Sequence, residues 1–217
     1  MIARYRREHP RVPGAVVPAW ILPEPSCQLL SDIGGILPAG SAAFEFGSGR
    51  STHALRRVFA AVTSVEDSQE WLDRTESVGN AIARRESDIT AVVALQRCWL
   101  RLRPIESFDL RSRPDIVARL GQANLILVDS PPNPAKREHA LYLALRHAPA
   151  GAIIVLDDLE VRATDRFAER FASQNKRLFR FWNIDIDHGL AIFFKRHSGR
   201  VRARPGLIEF VGTWLRA

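Results

Sequence analysis

The sequence predicts an α/β fold: a seven-stranded, mostly parallel sheet with a C-terminal antiparallel β-hairpin and helices on both faces. Three observations carry this. Short apolar runs alternate with amphipathic stretches from residue 42 to residue 195. Two of the runs, Leu125–Val128 and Ile153–Leu156, are apolar without a break, the pattern of strands covered on both faces. Acidic residues close four of the strand-like runs, at Glu45, Glu66-Asp67, Asp129 and Asp157-Asp158. In open α/β sheets, ligands bind outside those carboxyl ends.

The elements follow in order. Prolines at 10, 13, 18, 23 and 25 argue against a helix in the first residues, and Ser26 reads as the cap of a short helix through Leu30, Ile33 and Leu37. Ala42–Phe46 reads as a strand, Thr52–Phe59 as a helix, and Ala61–Val65 as the next strand. Gln69–Ala83 reads as helical, with Trp71, Leu72, Val78 and Ile82 as its apolar positions. Ile89–Leu95 reads as the third strand, and residues 96–115 carry no interpretable motif beyond a helix at Pro114–Leu120. Leu125–Val128, Ala135–His147, Ala152–Leu156 and Thr164–Ala172 continue the alternation. Leu178–Ile184 and Leu190–Lys195 flank a short polar loop containing Gly189, which reads as a hairpin.

A chain of 217 residues with 46% hydrophobic content suits one domain with a full core. We expect an irregular arm over 1–25, the main domain over 26–195 and a basic tail over 196–217. No apolar run is long enough for a membrane span, and no signal peptide is read. Cys27 and Cys98 stand alone, which fits free thiols in a reducing cytoplasm. The net charge of +7 belongs to the ends. Arg4, Arg6, Arg7 and Arg11 face only Glu8, and six basic residues from Lys195 onward face only Glu209, so the body between is close to neutral. This makes nucleic acid an unfavoured partner, because a backbone-binding surface would concentrate charge near the site.

The segment Glu45-Phe-Gly-Ser-Gly-Arg-Ser-Thr52 joins a strand to a helix through a glycine-bracketed turn. Such a turn brings a ligand against free N–H groups at the positive end of a helix. A dinucleotide fingerprint would need glycine at position 52, where this chain has Thr52, and a P-loop would need a Gly-Lys-Ser/Thr run that is absent. Glu45 instead suits a ligand with a cationic group, and Glu66 suits a ribose whose two hydroxyls it can accept.

Together with Ser64-Val-Glu66-Asp-Ser-Gln-Glu-Trp71, Val128-Asp-Ser-Pro-Pro132 and Val155-Leu-Asp-Asp158, this segment resembles the ordered motifs of class I S-adenosylmethionine-dependent methyltransferases. It is most similar to their small-molecule methyltransferase-like group. Ser51 and Ser130 depart from glycines common at those positions. The resemblance implies a Rossmann-like sheet and S-adenosylmethionine as cofactor. It implies that Glu45, Gly47, Ser48 and Gly49 hold the methionine part, that Ser51 and Thr52 cap the helix and meet the carboxylate, and that Glu66, with Asp67 and Trp71 nearby, holds the ribose and adenine. Asp129 would face the methyl group.

Methyl transfer to an oxygen needs positioning and a proton acceptor. Asp129, Asp157 and Asp158 are the candidates, with Ser130, Pro131 and Asn133 beside the acceptor. Three carboxylates also compose a candidate Mg²⁺ site, the plainer alternative being ion pairs with Arg162 or Arg166. We expect a small-molecule acceptor, no membrane partner, and a homodimer as one oligomeric option. Ser130-Pro131-Pro132-Asn133 resembles the motif of amino-group methyltransferases acting on nucleic acid bases, but Asn133 stands where those enzymes stack an aromatic ring. A non-catalytic binding module of the same fold is a further alternative. His188 reads as a base near the pocket or a solvated turn residue, and His53 as a pocket or surface residue. Cys98, Trp99, Trp20 and Trp214 read as packing, covering or interface residues.

Overall fold

A computed structural model describes residues 22–77, 82–100 and 103–203, with the side chains of 97–105 left undescribed. Trp20, Trp214, Val78 and the side chains of Cys98 and Trp99 therefore lie outside the described residues. The elements run α1 (Glu24–Ile36), β1 (Ala42–Phe46), α2 (Arg50–Val58), β2 (Ala61–Glu66), α3 (Gln69–Glu76) and β3 (Ile89–Val92). They continue β4 (Leu95–Leu100), β5 (Arg103–Phe108), α4 (Pro114–Leu120), β6 (Leu125–Val128) and α5 (Pro134–His147). The last are β7 (Ile153–Leu156), α6 (Arg162–Gln174), β8 (Phe179–Ile184) and β9 (Leu190–Lys195).

Seven strands form one sheet in the order β3-β2-β1-β6-β7-β9-β8. All neighbours pair in parallel except β9, which runs against both β7 and β8. The predicted fold class is the observed one. From β1 the chain winds outward to β3, then returns to lay β6 on the other side of β1. The switch point therefore lies between β1 and β6, where the loops after these strands diverge and leave a crevice.

Alternation along each strand divides the core into two layers. Phe44, Phe46, Ile126, Val128, Ile154 and Leu156 pack towards α4, α5 and α6. Ala43, Leu125, Leu127, Val155 and Ile192 pack towards α1 and α2. Glu45, one residue from Phe44 and Phe46, shares the α1/α2 face with Ala43. No described helix is long and apolar enough to cross a membrane.

Several expectations are corrected. Helix α1 begins at Glu24, with Pro25 in its first turn, where a missing N–H breaks no helical bond. Ser26 does not cap it; its N–H and hydroxyl donate to Asp187 Oδ2 in the β8–β9 loop, at 3.0 and 2.7 Å. A carboxylate from the hairpin thus serves the helix N-terminus. Helix α3 stops at Glu76, and Ile82 lies outside it, donating its N–H to His53 Nδ1 at 3.1 Å. The predicted strand Ile89–Leu95 divides: β3 ends at Val92, and Leu95 opens the β4–β5 hairpin, a separate two-stranded sheet. Lys195, counted with the basic end, is buried. Its ammonium donates to the carbonyls of Leu145 and Ala148 at 3.0 and 2.6 Å, satisfying groups that the end of α5 leaves open.

Candidate active site

The turn after β1 is built on two glycines. Gly47 has φ +106°, and a Cβ there would lie 2.9 Å from Ser130 Cβ. The loops leaving β1 and β6 approach this closely because Phe46 O accepts both the Asp129 and Ser130 N–H groups, at 3.1 and 2.9 Å. Gly49 has φ +156°, a backbone state that side chains oppose. Gly47→Ala is expected to destabilise the fold by about 1–3 kcal/mol. Urea unfolding of the single variant and of Gly47→Ala with Ser130→Gly tests this, the second change relieving part of the loss.

Two carboxylates, Glu45 and Glu66, organise this half of the site. Glu45 is fully buried and accepts hydroxyls from Ser51 at 2.8 Å, Thr52 at 2.5 Å and Ser64 at 2.5 Å. Parallel pairing sets Ser64 directly beside Glu45 in the sheet. Thr52 Oγ1 also accepts the Gly49 N–H at 2.9 Å, which ties the start of α2 to the turn. Burial raises the Glu45 carboxyl to about 7. Glu45, Ser51 and Thr52 thus lie behind the turn and bind one another rather than line the cleft.

Glu66 does line the cleft. Its Oε2 accepts both the N–H and the hydroxyl of Ser48, at 2.9 and 3.1 Å, and its Oε1 accepts the Asp67 N–H at 2.9 Å. Burial raises it too, to about 7. Trp71 donates its indole N–H to Ser48 O at 2.6 Å, so its ring is fixed against the turn. Both main-chain polar groups of Ser48 are therefore held, its N–H by Glu66 and its C=O by Trp71.

Across the cleft of about 300 Å³ stand Asp129, Ser130, Pro132, Arg137, Asp157 and His188. Asp157 is buried, and its Oδ1 has no hydrogen-bond partner among the described residues. Burial, with Asp129 and Asp158 nearby, raises the Asp157 carboxyl well above the usual range. Asp129 is raised to about 6, chiefly by burial and against the pull of Arg137. Arg137, itself buried, ties these strand ends together. It is paired with Asp158, donates to Asp129 O at 2.5 Å and to Pro131 O at 3.1 Å, and approaches Asp129 Oδ1 at 3.7 Å.

Asp158 takes φ +64° and lies 3.4 Å from His188 Nδ1. The hairpin carrying His188 is pinned over β7 by Leu159 N–H to Gly189 O at 3.1 Å and Glu160 N–H to His188 O at 2.8 Å. His188 is thus a cleft residue rather than a solvated turn residue. His53 neither lines the cleft nor faces solvent: it is buried between α2 and Thr75, whose carbonyl lies 3.1 Å from its Nε2.

The sequence reading missed Arg137, and the ion pair assigned to Arg162 or Arg166 is made by Arg137 instead. A signal was available. Asn133 accepts the Ala135 N–H at 2.9 Å as the cap of α5, which puts Arg137 in the first turn, where the helix dipole disfavours a cation. An arginine there needs anions nearby. Asn133 and Pro131 serve the loop and helix rather than line the cleft, whereas Ser130 lines it.

Asp157, Asp158 and His188 each offer an atom within 4.8 Å of the others. The set does not suit Mg²⁺, which prefers oxygen ligands throughout, because one donor is an imidazole and Asp158 already holds the Arg137 guanidinium.

No protein-family model matches this chain, and no curated protein matches its sequence. Solved structures do match its fold. A methyltransferase of Podospora anserina, solved with S-adenosylhomocysteine bound, is 13% identical with a TM-score of 0.57, over 90% of this chain and 93% of that one. A caffeoyl-CoA O-methyltransferase-like protein of Staphylococcus aureus is 12% identical with a TM-score of 0.55, over 89% and 91%. An rRNA methylase of Streptococcus thermophilus is 16% identical with a TM-score of 0.50, over 79% and 95%. The acceptors these names imply differ widely; the fold is what the proteins share. The chain has the fold of the class I S-adenosylmethionine-dependent methyltransferases.

Proposed function

We propose that this chain is a methyltransferase that uses S-adenosylmethionine and modifies a small-molecule acceptor at an oxygen. The make-up of one cleft carries the reading: the glycine turn and Glu66 form one wall, and Asp129 and Asp157 form the other. The residues fit such a cofactor. Gly47 and Gly49 flank Ser48 without side chains of their own, and the buried Asp157 Oδ1 lacks a donor that a ligand would supply.

When bound, S-adenosylmethionine supplies an electrophilic methyl group on a sulfonium sulfur. Of the roughly four acceptor sites on the Glu66 carboxylate, Oε2 uses two on Ser48 and Oε1 uses one on Asp67, which leaves Oε1 open to a ribose hydroxyl. Trp71 and Asp67 line the same wall, where the adenosine part belongs. The main chain of Gly47–Gly49 takes the methionine part, supported from behind by Glu45. Asp129, raised to about 6, is ionised at neutral pH yet basic enough to accept a proton from an acceptor hydroxyl. That match is what favours oxygen.

Two observations favour a small acceptor over a nucleic acid base. Asn133 caps α5 and supplies no ring on which a flipped base would stack. Arg137 is the one arginine or lysine among the described residues that line the cleft, and it is committed to Asp158 and to the Asp129 and Pro131 carbonyls rather than to a phosphate backbone.

Titration calorimetry with S-adenosylhomocysteine tests the cofactor. Glu66→Ala is expected to weaken binding by about 1.5–3 kcal/mol, the range for a lost charge-assisted hydrogen-bond pair. Equal affinity in the variant would sink the ribose assignment, and no binding to the unaltered protein would sink the cofactor.

A further inference from the structure

A second cavity, of about 480 Å³, opens between the β4–β5 hairpin, α4 and α5, and shares no lining residue with the first. Its size is that of a small-molecule site. Ser107 is almost fully buried there, and its hydroxyl has no partner among the described residues. His139 Nδ1 is likewise buried without a partner. Two unsatisfied polar side chains in one cavity are unusual, since buried polar groups are nearly always hydrogen-bonded.

The walls add a second kind of information. Phe108, Tyr142 and the His139 ring line the cavity, with His139 and Tyr142 centred 6.0 Å apart. Arg111 and Arg146 stand at its edge, and Asp109, bonded by Arg111 Nε at 3.0 Å, is the one carboxylate among the described lining residues. The histidines register the resulting positive field. Burial and Arg111 hold His139 down at about 4, and burial, Arg146 and Lys195 lower His147. His139 is therefore neutral and can donate or accept at Nδ1.

We infer that this cavity is a binding site for a small hydroxylated aromatic carboxylate. The aromatic walls take the ring, the guanidiniums of Arg111 and Arg146 take the carboxylate, and Ser107 Oγ and His139 Nδ1 take the hydroxyl. The site is separate from the methyl-transfer cleft and does not rest on that reading. Its α5 residues begin at His139, two positions beyond Arg137, and none of them lines the methyl-transfer cleft.

The test uses the full chain and 4-hydroxybenzoate, followed by calorimetry and amide chemical shifts. Saturable binding is expected, with the largest shifts around Ser107, His139 and Tyr142. Benzoate, lacking the hydroxyl, and 4-hydroxybenzamide, lacking the charge, are each expected to bind about tenfold more weakly. Ser107→Ala and His139→Phe are expected to weaken 4-hydroxybenzoate about tenfold. Ser107→Ala should leave the unliganded protein as stable as before or more so, because it removes an unsatisfied hydroxyl; this separates lost binding from lost folding. Absence of saturable binding at millimolar ligand would overturn the inference. So would inorganic phosphate producing the same shifts at the same concentration, binding unaltered in both variants, or binding lost in Glu66→Ala but kept in Ser107→Ala.

Discussion

Arg137→Ala is expected to destabilise the protein by about 3–5 kcal/mol, the range for removing one partner of a buried ion pair. Arg137 holds the Asp158 carboxylate and the carbonyls of Asp129 and Pro131, so its loss leaves one charge and two backbone acceptors without their donor. It also leaves Asp129, Asp157 and Asp158 together without a cation. The loss should therefore depend on pH. Asp129 and Asp157 already bind protons more tightly than free carboxyls, and without Arg137 they bind them more tightly still. Acid relieves the repulsion, so the penalty is smaller at pH 5 than at pH 8. Arg137→Lys keeps the charge but not the planar fork that serves several acceptors at once, and should recover part of the stability. Adding Asp158→Asn to Arg137→Ala should shrink the penalty, because the uncompensated charge is gone. Chemical denaturation at the two pH values checks all three variants. Equal penalties at both pH values would show that the carboxylates do not respond to Arg137.

The parts of this fold that were legible in the sequence are those in which local chemistry and global packing agree. β1, β6 and β9 occupy the segments expected of them, because short apolar runs between turn residues favour strands, and α4 starts where Pro114 marks a first helical turn. The glycine turn was legible for the same reason: Gly47 and Gly49 stand where the backbone demands them. The β4–β5 hairpin was not. Its strands carry Arg97, Arg103 and Pro104 among their apolar residues, and Pro104 argues against a strand unless the strand is a sheet edge. Nor did Pro25 give away the helix start, since the same residue that ends a helix elsewhere is tolerated in its first turn. Within the site, the four acidic strand ends could be read because topology alone brings them together. His188 was legible only as one of two readings, and Arg137 was missed, because each reaches the cleft from an element that sequence spacing does not relate to those strands. Glu45 shows a subtler limit. Its position was legible, but whether it faced a ligand or three hydroxyls depended on side-chain packing.

That packing makes Glu45 the source of the second large effect, one that appears in the pH dependence of stability. The buried carboxyl is raised to about 7 in the folded chain, against an ordinary value of 4.5. Below pH 4.5 it is protonated folded or unfolded, and its full contribution is present. As pH rises from there, the unfolded chain releases the proton while the folded chain keeps it, so stability falls until the folded group also ionises near 7. The loss attributable to Glu45 across that window is about 3 kcal/mol. Glu66 and Asp129, also raised, act in the same direction, while His139, held low, acts in the opposite one. Comparing the unaltered protein with Glu45→Gln isolates the one residue. The amide keeps the shape, its oxygen accepting the Thr52 and Ser64 hydroxyls and its NH2 donating to the Ser51 hydroxyl oxygen, and has no proton to lose near neutrality. Between pH 5 and pH 8.5 the stability difference should move by about 2.5 kcal/mol in favour of Glu45→Gln. Urea unfolding at matched ionic strength measures it. A difference that stays constant with pH would mean that Glu45 does not titrate near neutrality and that its three hydroxyl donors outweigh burial. The turn would then rest on a charged anchor, and a cationic ligand at the turn would meet a full negative charge behind it at every pH in that range.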